Sequence, residues 1–315
     1  MTAYIVRRLG QALLVIVGVS LIVFLITKLL PGGPARAILG PRATPGQVHA
    51  FLVANGYTKP LFVQYGDYLS RLVRGNLGYS YHFNQSVRLL LTDNLPKSAL
   101  LIGLAYVVAL VVAIPVGMLQ AVRRNKLTDH VLTGAVFVGY SMPLFWLGII
   151  LILLFSVTFH IFPPEAPQGA TVSAVLNQPS ALVLPVATLA IVTIALFSRF
   201  VRSSAIENLT QDYVRTARAK GVPERRILFR HVLRNSLIPI ITLLGLSLPV
   251  TISGAVIVEA VFNYPGMGLL FWTAATTQDY PVLMGFTIVV AAATVLGSLV
   301  ADLLYAVADP RVRLA

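Results

Sequence analysis

The chain has 315 residues, of which 57% are hydrophobic and only 11% are charged, whereas a soluble domain carries about 25% charged residues. It contains no cysteine, which excludes disulfides, iron–sulfur clusters and thiolate zinc sites. The mean hydropathy of +0.82 predicts a membrane protein. The net charge of +13 fits membrane topology better than nucleic-acid binding, because two loops lack basic residues altogether.

Six apolar stretches are long enough to cross about 30 Å of hydrocarbon. They are Leu9–Leu30, Ala99–Met118, Val131–Phe159, Ala181–Phe197, Leu237–Val258 and Val282–Val300. The first is too long for the apolar part of a signal peptide, so an uncleaved helix is expected. The third carries Pro143, which predicts a kink or break. The sequence therefore predicts an all-α integral membrane protein with six transmembrane helices.

The predicted organisation has one long segment outside the membrane. Residues 1–8 form a cytoplasmic terminus, 9–30 the first span, 31–98 an extracytoplasmic segment, and 99–315 a core with the remaining spans and a cytoplasmic loop at 199–236. Within the outer segment, Val48–Asn55 and Leu61–Arg74 have helical spacing of apolar residues. Thr44-Pro45 resembles an N-cap followed by a first-turn proline.

The distribution of positive charge sets the expected orientation. The two short loops His160–Ser180 and Glu259–Pro281 contain no lysine or arginine, whereas the loop at 199–236 is strongly basic. Cytoplasmic loops of membrane proteins carry the excess of Lys and Arg. We therefore expect both termini in the cytoplasm and both short loops outside.

Between the fourth and fifth spans the chain reads as two short helices at a sharp angle. Asp212 is expected to N-cap the first helix, and Gly221 to end it in a left-handed conformation. Pro223 suits the first turn of the second helix. Local chemistry leaves two interpretations open: a solvated basic loop, or a surface for another protein that approaches closely at the small residue Ala217.

Four ordered motifs cover the chain from end to end. They follow the first span, occupy the basic loop, follow the fifth span and close the chain, and are Leu30–Pro34 with Lys59–Tyr65 and Arg74–Gly78, Asp212–Pro239, Glu259–Gly268, and Asp302–Arg313. Together they resemble ABC importer permeases of the dipeptide/oligopeptide branch. The sequence departs from the general permease pattern at Arg215-Thr216-Ala217, where that pattern has Glu-Ala-Ala. Gly33 and Asn76 stand where the branch often has Asp, which weakens inference about the substrate.

The resemblance implies a type I ABC importer fold and a non-catalytic subunit of a bacterial cell membrane. Implied partners are membrane lipid, a second homologous permease, two ATP-binding subunits that hold ATP and Mg, and an extracytoplasmic substrate-binding protein; no cofactor is implied in this chain. The residues implied in ATPase coupling are Tyr213, Arg215, Ala217, Arg218, Lys220, Gly221 and Pro223. Glu259, Pro265 and Gly266 are implied in an outer loop near the binding protein.

The sequence lacks the motifs of a catalytic protein. It has no Gly-x-x-x-x-Gly-Lys-Ser/Thr phosphate loop, no Gly-x-Ser-x-Gly elbow and no histidine pair at metal-ligand spacing, so no catalytic or metal-binding residue is expected. Ser247, Thr251 and Ser253 are the candidates for lining a translocation path, with hydrogen bonding between helices as the alternative. Glu259 and Asp302 lie near span ends and are expected to pair with loop groups.

Other functions remain open at this point. An ion-coupled secondary transporter or channel without an ATPase is disfavoured by the few ionisable residues within the spans. An exporter permease, or a basic membrane-anchored scaffold for anionic lipid or nucleic acid, is also compatible with the composition. The solute is open among dipeptides, oligopeptides, metal complexes, haem and glutathione.

Overall fold

A computed structural model describes the backbone of residues 2–29, 42–247 and 253–308, with the single positions 35, 39 and 251. Side chains are described for the same residues except 2–6, 9, 27, 29, 246 and 299–308. The outer segment and the first half of the chain contain α1 Thr2–Leu29, α2 Pro45–Ala54, α3 Leu61–Val73, β1 Tyr79–Ser80, β2 Gln85–Ser86, α4 Val87–Val122, α5 Leu127–Ser141 and α6 Leu144–Leu151, which continues as a π-helix over Ile152–Thr158.

The second half contains nine further described helices and one π-helical stretch. They are α7 Val172–Leu176, α8 Pro179–Leu209, α9 Asp212–Ala219, α10 Glu224–Arg226, the π-helix Ile227–Val232, α11 Leu233–Ser236, α12 Ile238–Leu246, α13 Val256–Val261, α14 Met267–Thr276 and α15 Tyr280–Ala308. From α10 to α12 the chain forms one nearly continuous helical rod, which we call the fifth-span rod.

Four helices in the described part of the chain are long and apolar enough to cross a membrane: Val87–Val122, Pro179–Leu209, Glu224–Gly245 and Tyr280–Ser298. The bent pair α5 and α6 can form a fifth span, and α1 contributes a shorter apolar stretch, Gly10–Ile26. The expected helical membrane architecture is therefore confirmed, while the count of six spans stays a prediction.

The predicted break at Pro143 is confirmed. Met142 and Pro143 have extended backbones, with ψ of 130° and 132°, and the helices on either side meet at an angle of 103°. Proline cannot donate the backbone hydrogen bond of a continuous helix, and it also restricts the residue before it. The third span therefore consists of two separate helices.

The helix of the predicted fifth span, Leu237–Val258, begins earlier than the apolar run. It starts at Glu224, and Gly254 with φ of +80° and Ala255 in a non-helical conformation precede α13. The predicted end of the span stays a prediction, because residues 248–250 and 252 lie outside the described part of the chain. An apolar run marks the part of a helix that lies in hydrocarbon, but this helix extends beyond it, with Ile227 and Val232 buried and its arginines exposed.

The outer segment folds largely as expected. The Thr44 hydroxyl accepts the N–H of Gln47, and the Gln47 side chain accepts the Thr44 N–H, which completes a capping box at α2. Helix α3 agrees with the predicted range to within one residue. The hairpin of β1 and β2, with Tyr79 opposite Ser86, was not predicted, because two-residue strands are too short to show an alternating pattern.

Helices α4 and α8 form the centre of the described bundle. The two helices make the most extensive contact between any two elements of the described chain. Both carry buried alanines, including Ala105, Ala109 and Ala113 on α4 and Ala190 and Ala195 on α8, and Ala113 packs against Phe197 and Val201 of α8. Small side chains let two helices approach closely, so that backbone packing supplies the attraction that lipid-like side chains alone would not.

Candidate functional site

We call residues 211–236 the basic segment, and the predicted cap of its first helix is wrong. Helix α9 begins at Asp212, and its N-cap is Gln211, whose side chain makes no capping hydrogen bond. Asp212 is therefore the first helical residue and not the cap. Its carboxylate still lies at the positive end of the helix dipole and is 3.5 Å from the guanidinium of Arg215.

The predicted left-handed stop at Gly221 is confirmed. Its φ is +72°, its N–H donates to the Arg218 carbonyl at 2.9 Å, and the N–H of Val222 donates to the Ala217 carbonyl at 3.1 Å. These two bonds form a Schellman motif, in which a side chain at the left-handed position would cost free energy. Lys220 is the C-cap, and Pro223 lies directly before the first residue of α10.

The inner face of α9 packs on the protein's own helices. Val214 and Ala217 are buried, and they form an apolar cluster with Ile227 of the rod, Ala121 of α4 and Ala205 of α8. The small size of Ala217 thus lets α9 lie close to its own chain. A role of Ala217 in contact with another protein stays a prediction.

Two polar links fix the angle between α9 and the rod. The Tyr213 hydroxyl donates to Asn208 Oδ1 at 2.7 Å and accepts from Asn235 Nδ2 at 3.1 Å. Arg218 Nε lies 2.6 Å from Glu224 Oε1, across the turn at Gly221. Both ends of α9 are therefore bonded to neighbouring elements, to α8 and the rod at Tyr213 and to the rod at Arg218.

The outer face of the basic segment is exposed and positive. The Phe229 side chain is 65% exposed and lines an open cleft together with Pro223, Arg225 and Arg226. An exposed aromatic side chain between guanidinium groups suits a partner surface with an apolar pocket and acidic rim, since such anchors dominate protein interfaces. Arg215 and Lys220 extend the same positive surface.

Sequence reasoning missed an ion pair at the same end of the bundle. Asp129 of α5 is 2% exposed. Two guanidinium nitrogens of Arg202 of α8 donate to its carboxylate, Nε to Oδ1 at 2.9 Å and Nη2 to Oδ2 at 2.8 Å. The N–H of Asn125 also donates to this carboxylate at 3.0 Å. A bidentate pair of this kind fixes geometry as well as charge, so it clamps α5 to α8.

The only sequence signal for this clamp is one acidic residue close to several basic ones. Asp129 follows Arg123, Arg124 and Lys126, any of which could neutralise it. Its actual partner is 73 residues away, and a single sequence contains no indication of that pairing.

The three candidates for the translocation path have less informative surroundings. The Ser247 hydroxyl donates to the Leu244 carbonyl at 2.7 Å, and that of Thr251 donates to the Ser247 carbonyl at 3.2 Å. Both are half-buried, as is Ser253 beside the interruption at Gly254. Lining of a path by these residues stays a prediction.

The outer-loop candidates meet around a buried carboxylate. Glu259 is fully buried and accepts hydrogen bonds from the Ser98 hydroxyl at 2.7 Å and from the backbone N–H groups of Ala255, Gly268 and Leu269 at 3.1, 2.7 and 3.0 Å. Its partners thus belong to α4, to Ala255 before α13 and to the start of α14, so only Ala255 is a loop group of the kind expected. The Asp302 side chain lies outside the described residues. A Cβ at Gly266 would lie 2.4 Å from a Glu259 oxygen, so this turn requires glycine. Pro265 precedes it and is half-buried.

Comparisons with known proteins agree across the whole chain. Residues 113–314 match the family of binding-protein-dependent transport system inner membrane components, and residues 1–102 match the N-terminal membrane component of such systems. The oligopeptide transport system permease protein AppB of Bacillus subtilis is 38% identical over 314 residues, and the dipeptide transport system permease protein DppB of Escherichia coli K12 is 34% identical over 340 residues. Each alignment covers 99% of both proteins.

A solved structure confirms the expected fold. An inward-facing structure of the MetNI methionine ABC transporter matches with a TM-score of 0.53, covering 70% of this chain and 97% of that chain. The sequence identity is 15%, so the likeness concerns the fold alone. The type I ABC importer permease architecture predicted from the sequence is thus present.

Replacing Arg202 by Met should destabilise the protein strongly, because the buried Asp129 carboxylate would lose its partner. Breaking a buried pair costs about 3–5 kcal/mol, so the thermal midpoint of the purified protein should fall by roughly 10 °C. Arg199→Met is the matched control on the same helix; this exposed residue contacts the ring of Tyr140, worth about 0.5–1 kcal/mol. Equal losses for the two variants would contradict the clamp.

Proposed function

Since the chain belongs to the family of binding-protein-dependent transport system inner membrane components, we propose that it carries di- or oligopeptides as one permease of an ATP-driven importer. The names of its relatives, which include oligopeptide and dipeptide transport system permeases, support the substrate class. The observation that carries the mechanism is the basic segment, with its inner face packed on the bundle and its outer face exposed.

The remaining subunits supply what this chain lacks. A second homologous permease completes the translocation path, two ATPase subunits bind ATP and Mg, and an extracytoplasmic binding protein delivers the peptide. The permease itself performs no catalysis, which fits the missing phosphate loop. Both termini lie in the cytoplasm of a bacterial cell, because the two short loops on the other side lack lysine and arginine.

Coupling runs through α9. When ATP draws the two ATPases together, the exposed side chains Tyr213, Arg215 and Arg218 follow the ATPase surface. The buried contact of Val214 and Ala217 with Ala121 and Ala205 then passes the displacement to α4 and α8. A rigid element with different contacts in two states is what such a transition requires. Opening of the path past Ser247, Thr251 and Ser253 completes the cycle.

Gly221→Val should uncouple ATP hydrolysis from uptake. A Cβ at this position meets no atom within 4 Å, so the cost is confined to the left-handed backbone, about 1–2 kcal/mol per residue. Folding tolerates that cost. The same free energy disfavours the docked orientation of α9 relative to the rod and reduces the population of that orientation roughly tenfold. Peptide uptake into proteoliposomes should fall accordingly, while expression stays near normal.

Gly221→Asn is the matched control for that variant, because Asn adopts the left-handed conformation readily and should retain most of the uptake. Binding-protein-stimulated ATP hydrolysis is measured in the same vesicles. Wild-type uptake and hydrolysis in Gly221→Val would show that the segment is an ordinary solvated loop. Uptake that persists without any ATPase would favour a secondary transporter.

Reversing the charge of Arg218 should weaken binding of the ATPase subunits. This residue also pairs with Glu224, but an exposed pair contributes only about 0.2–1 kcal/mol. The double variant Arg218→Glu, Glu224→Arg restores the internal pair with its charges exchanged. If Arg218 contacts the ATPase, the double variant still fails to retain it during purification, and added salt weakens wild-type binding too. Full recovery in the double variant would assign Arg218 a purely internal role.

A further inference from the structure

A cavity of about 510 Å³ lies at the opposite end of α4 from the basic segment. The end of α1, the helices α2 and α3, the β-hairpin and the start of α15 enclose it. It contains none of the residues proposed for coupling or for the translocation path. Its volume is in the range of small-molecule sites, about 300–1,000 Å³, and is sufficient for a short peptide.

Aromatic rings form much of the cavity wall. Phe24 and Tyr68 stack with ring centroids 6.0 Å apart, and Phe51 and Tyr57 stack at 6.2 Å. Tyr280 adds a further ring at the start of α15. Such walls bind an apolar or aromatic group by burial and by ring contacts.

The charge at the wall is predominantly positive. Lys28 Nζ lies 4.6 Å from the centroid of Tyr57 and 5.0 Å from that of Phe24, and it donates to Gln64 Oε1. In the described part of the chain, the Arg71 guanidinium makes no hydrogen bond or ion pair. The one wall carboxylate, Asp279, already accepts from the Ser80 hydroxyl and the Val282 N–H. The wall thus has capacity for an anionic group.

A buried donor in the same wall has no partner among the described residues. The Tyr68 hydroxyl is inaccessible and makes no hydrogen bond to them, an arrangement that costs free energy unless an acceptor is supplied. Burial raises the pKa of Tyr68 to about 12, so this hydroxyl stays protonated and able to donate. The amide side chains of Asn76 and Gln278 also line the cavity and can bind a peptide group.

We propose that this cavity binds a short peptide, with its C-terminal carboxylate at Arg71 and Lys28 and an apolar or aromatic side chain against the rings. The inference rests on the proposed function for its substrate class, and it adds a site on the permease outside the translocation path. The amide side chains of Asn76 and Gln278 beside the cations match the peptide bond, which offers both a donor and an acceptor. A lipid phosphate shares the anionic chemistry and is separated by the experiment.

The test measures binding of radiolabelled Ala-Phe to the purified transporter in phosphatidylcholine nanodiscs, without ATP or binding protein, by equilibrium dialysis. Arg71→Gln should weaken binding about tenfold, the range for a hydrogen bond to a charged group, and Tyr68→Phe about threefold. Arg74→Gln removes the same charge from an exposed neighbour outside the cavity wall, and Tyr65→Phe removes a hydroxyl bound to Ser20. Both control variants should bind Ala-Phe with dissociation constants within about twofold of the wild-type value.

Amidated Ala-Phe should bind at least as weakly as Ala-Phe binds to Arg71→Gln, because amidation removes the contact with Lys28 as well, and Arg71→Gln should not weaken its binding further. Absence of saturable binding, or equal effects of Arg71→Gln and Arg74→Gln, would overturn the proposal. Nanodiscs that contain phosphatidylglycerol form the second arm: retention of this lipid only when Arg71 is present, without dipeptide binding, would assign the cavity to lipid. The binding assay needs no ATP, so it separates the two proposals. Absence of Ala-Phe binding with intact peptide uptake would contradict this site alone, whereas intact binding without uptake would contradict the proposed function.

Discussion

The apolar contact between α9 and the ends of α4 and α8 is the interaction on which the rest of the structure depends. Val214 and Ala217 are buried there with Ala121 and Ala205, so a helix that carries arginines on its exposed side is bound firmly to the bundle. The Schellman turn at Gly221 then sets the direction of the rod. A flexible loop in this place could bind an ATPase but could not transmit its motion.

Helix α4 connects the two ends of the molecule. Its 36 residues span about 54 Å at 1.5 Å per residue. At one end Ala121 belongs to the cluster beneath α9, and nearer the other end the Ser98 hydroxyl binds the buried carboxylate of Glu259. One helix therefore joins the cluster beneath α9 to the turn at Gly266, and the pair of Asp129 and Arg202 joins α5 to α8.

The sequence predicted those features whose causes are local. The cap at Thr44, the break at Pro143 and the left-handed stop at Gly221 each follow from the backbone chemistry of a few neighbouring residues. It did not predict the pairing of Asp129 with Arg202 or the inward orientation of Ala217, because both depend on which helices become neighbours. The helix that begins after Pro223 was predicted, but its continuity with the fifth span was not, because its exposed arginines hide the buried stripe of Ile227 and Val232.

Photo-crosslinking from Phe229 tests the central claim, that the exposed face of the basic segment docks on an ATPase, most directly. A photoreactive phenylalanine analogue at this exposed position should capture an ATPase subunit in intact cells, and the yield should change when ATP hydrolysis is blocked. The same analogue at Phe51, in the outer segment, should capture none. An ATPase crosslinked from Phe51, or an extracytoplasmic protein crosslinked from Phe229, would contradict both the docking surface and the proposed orientation.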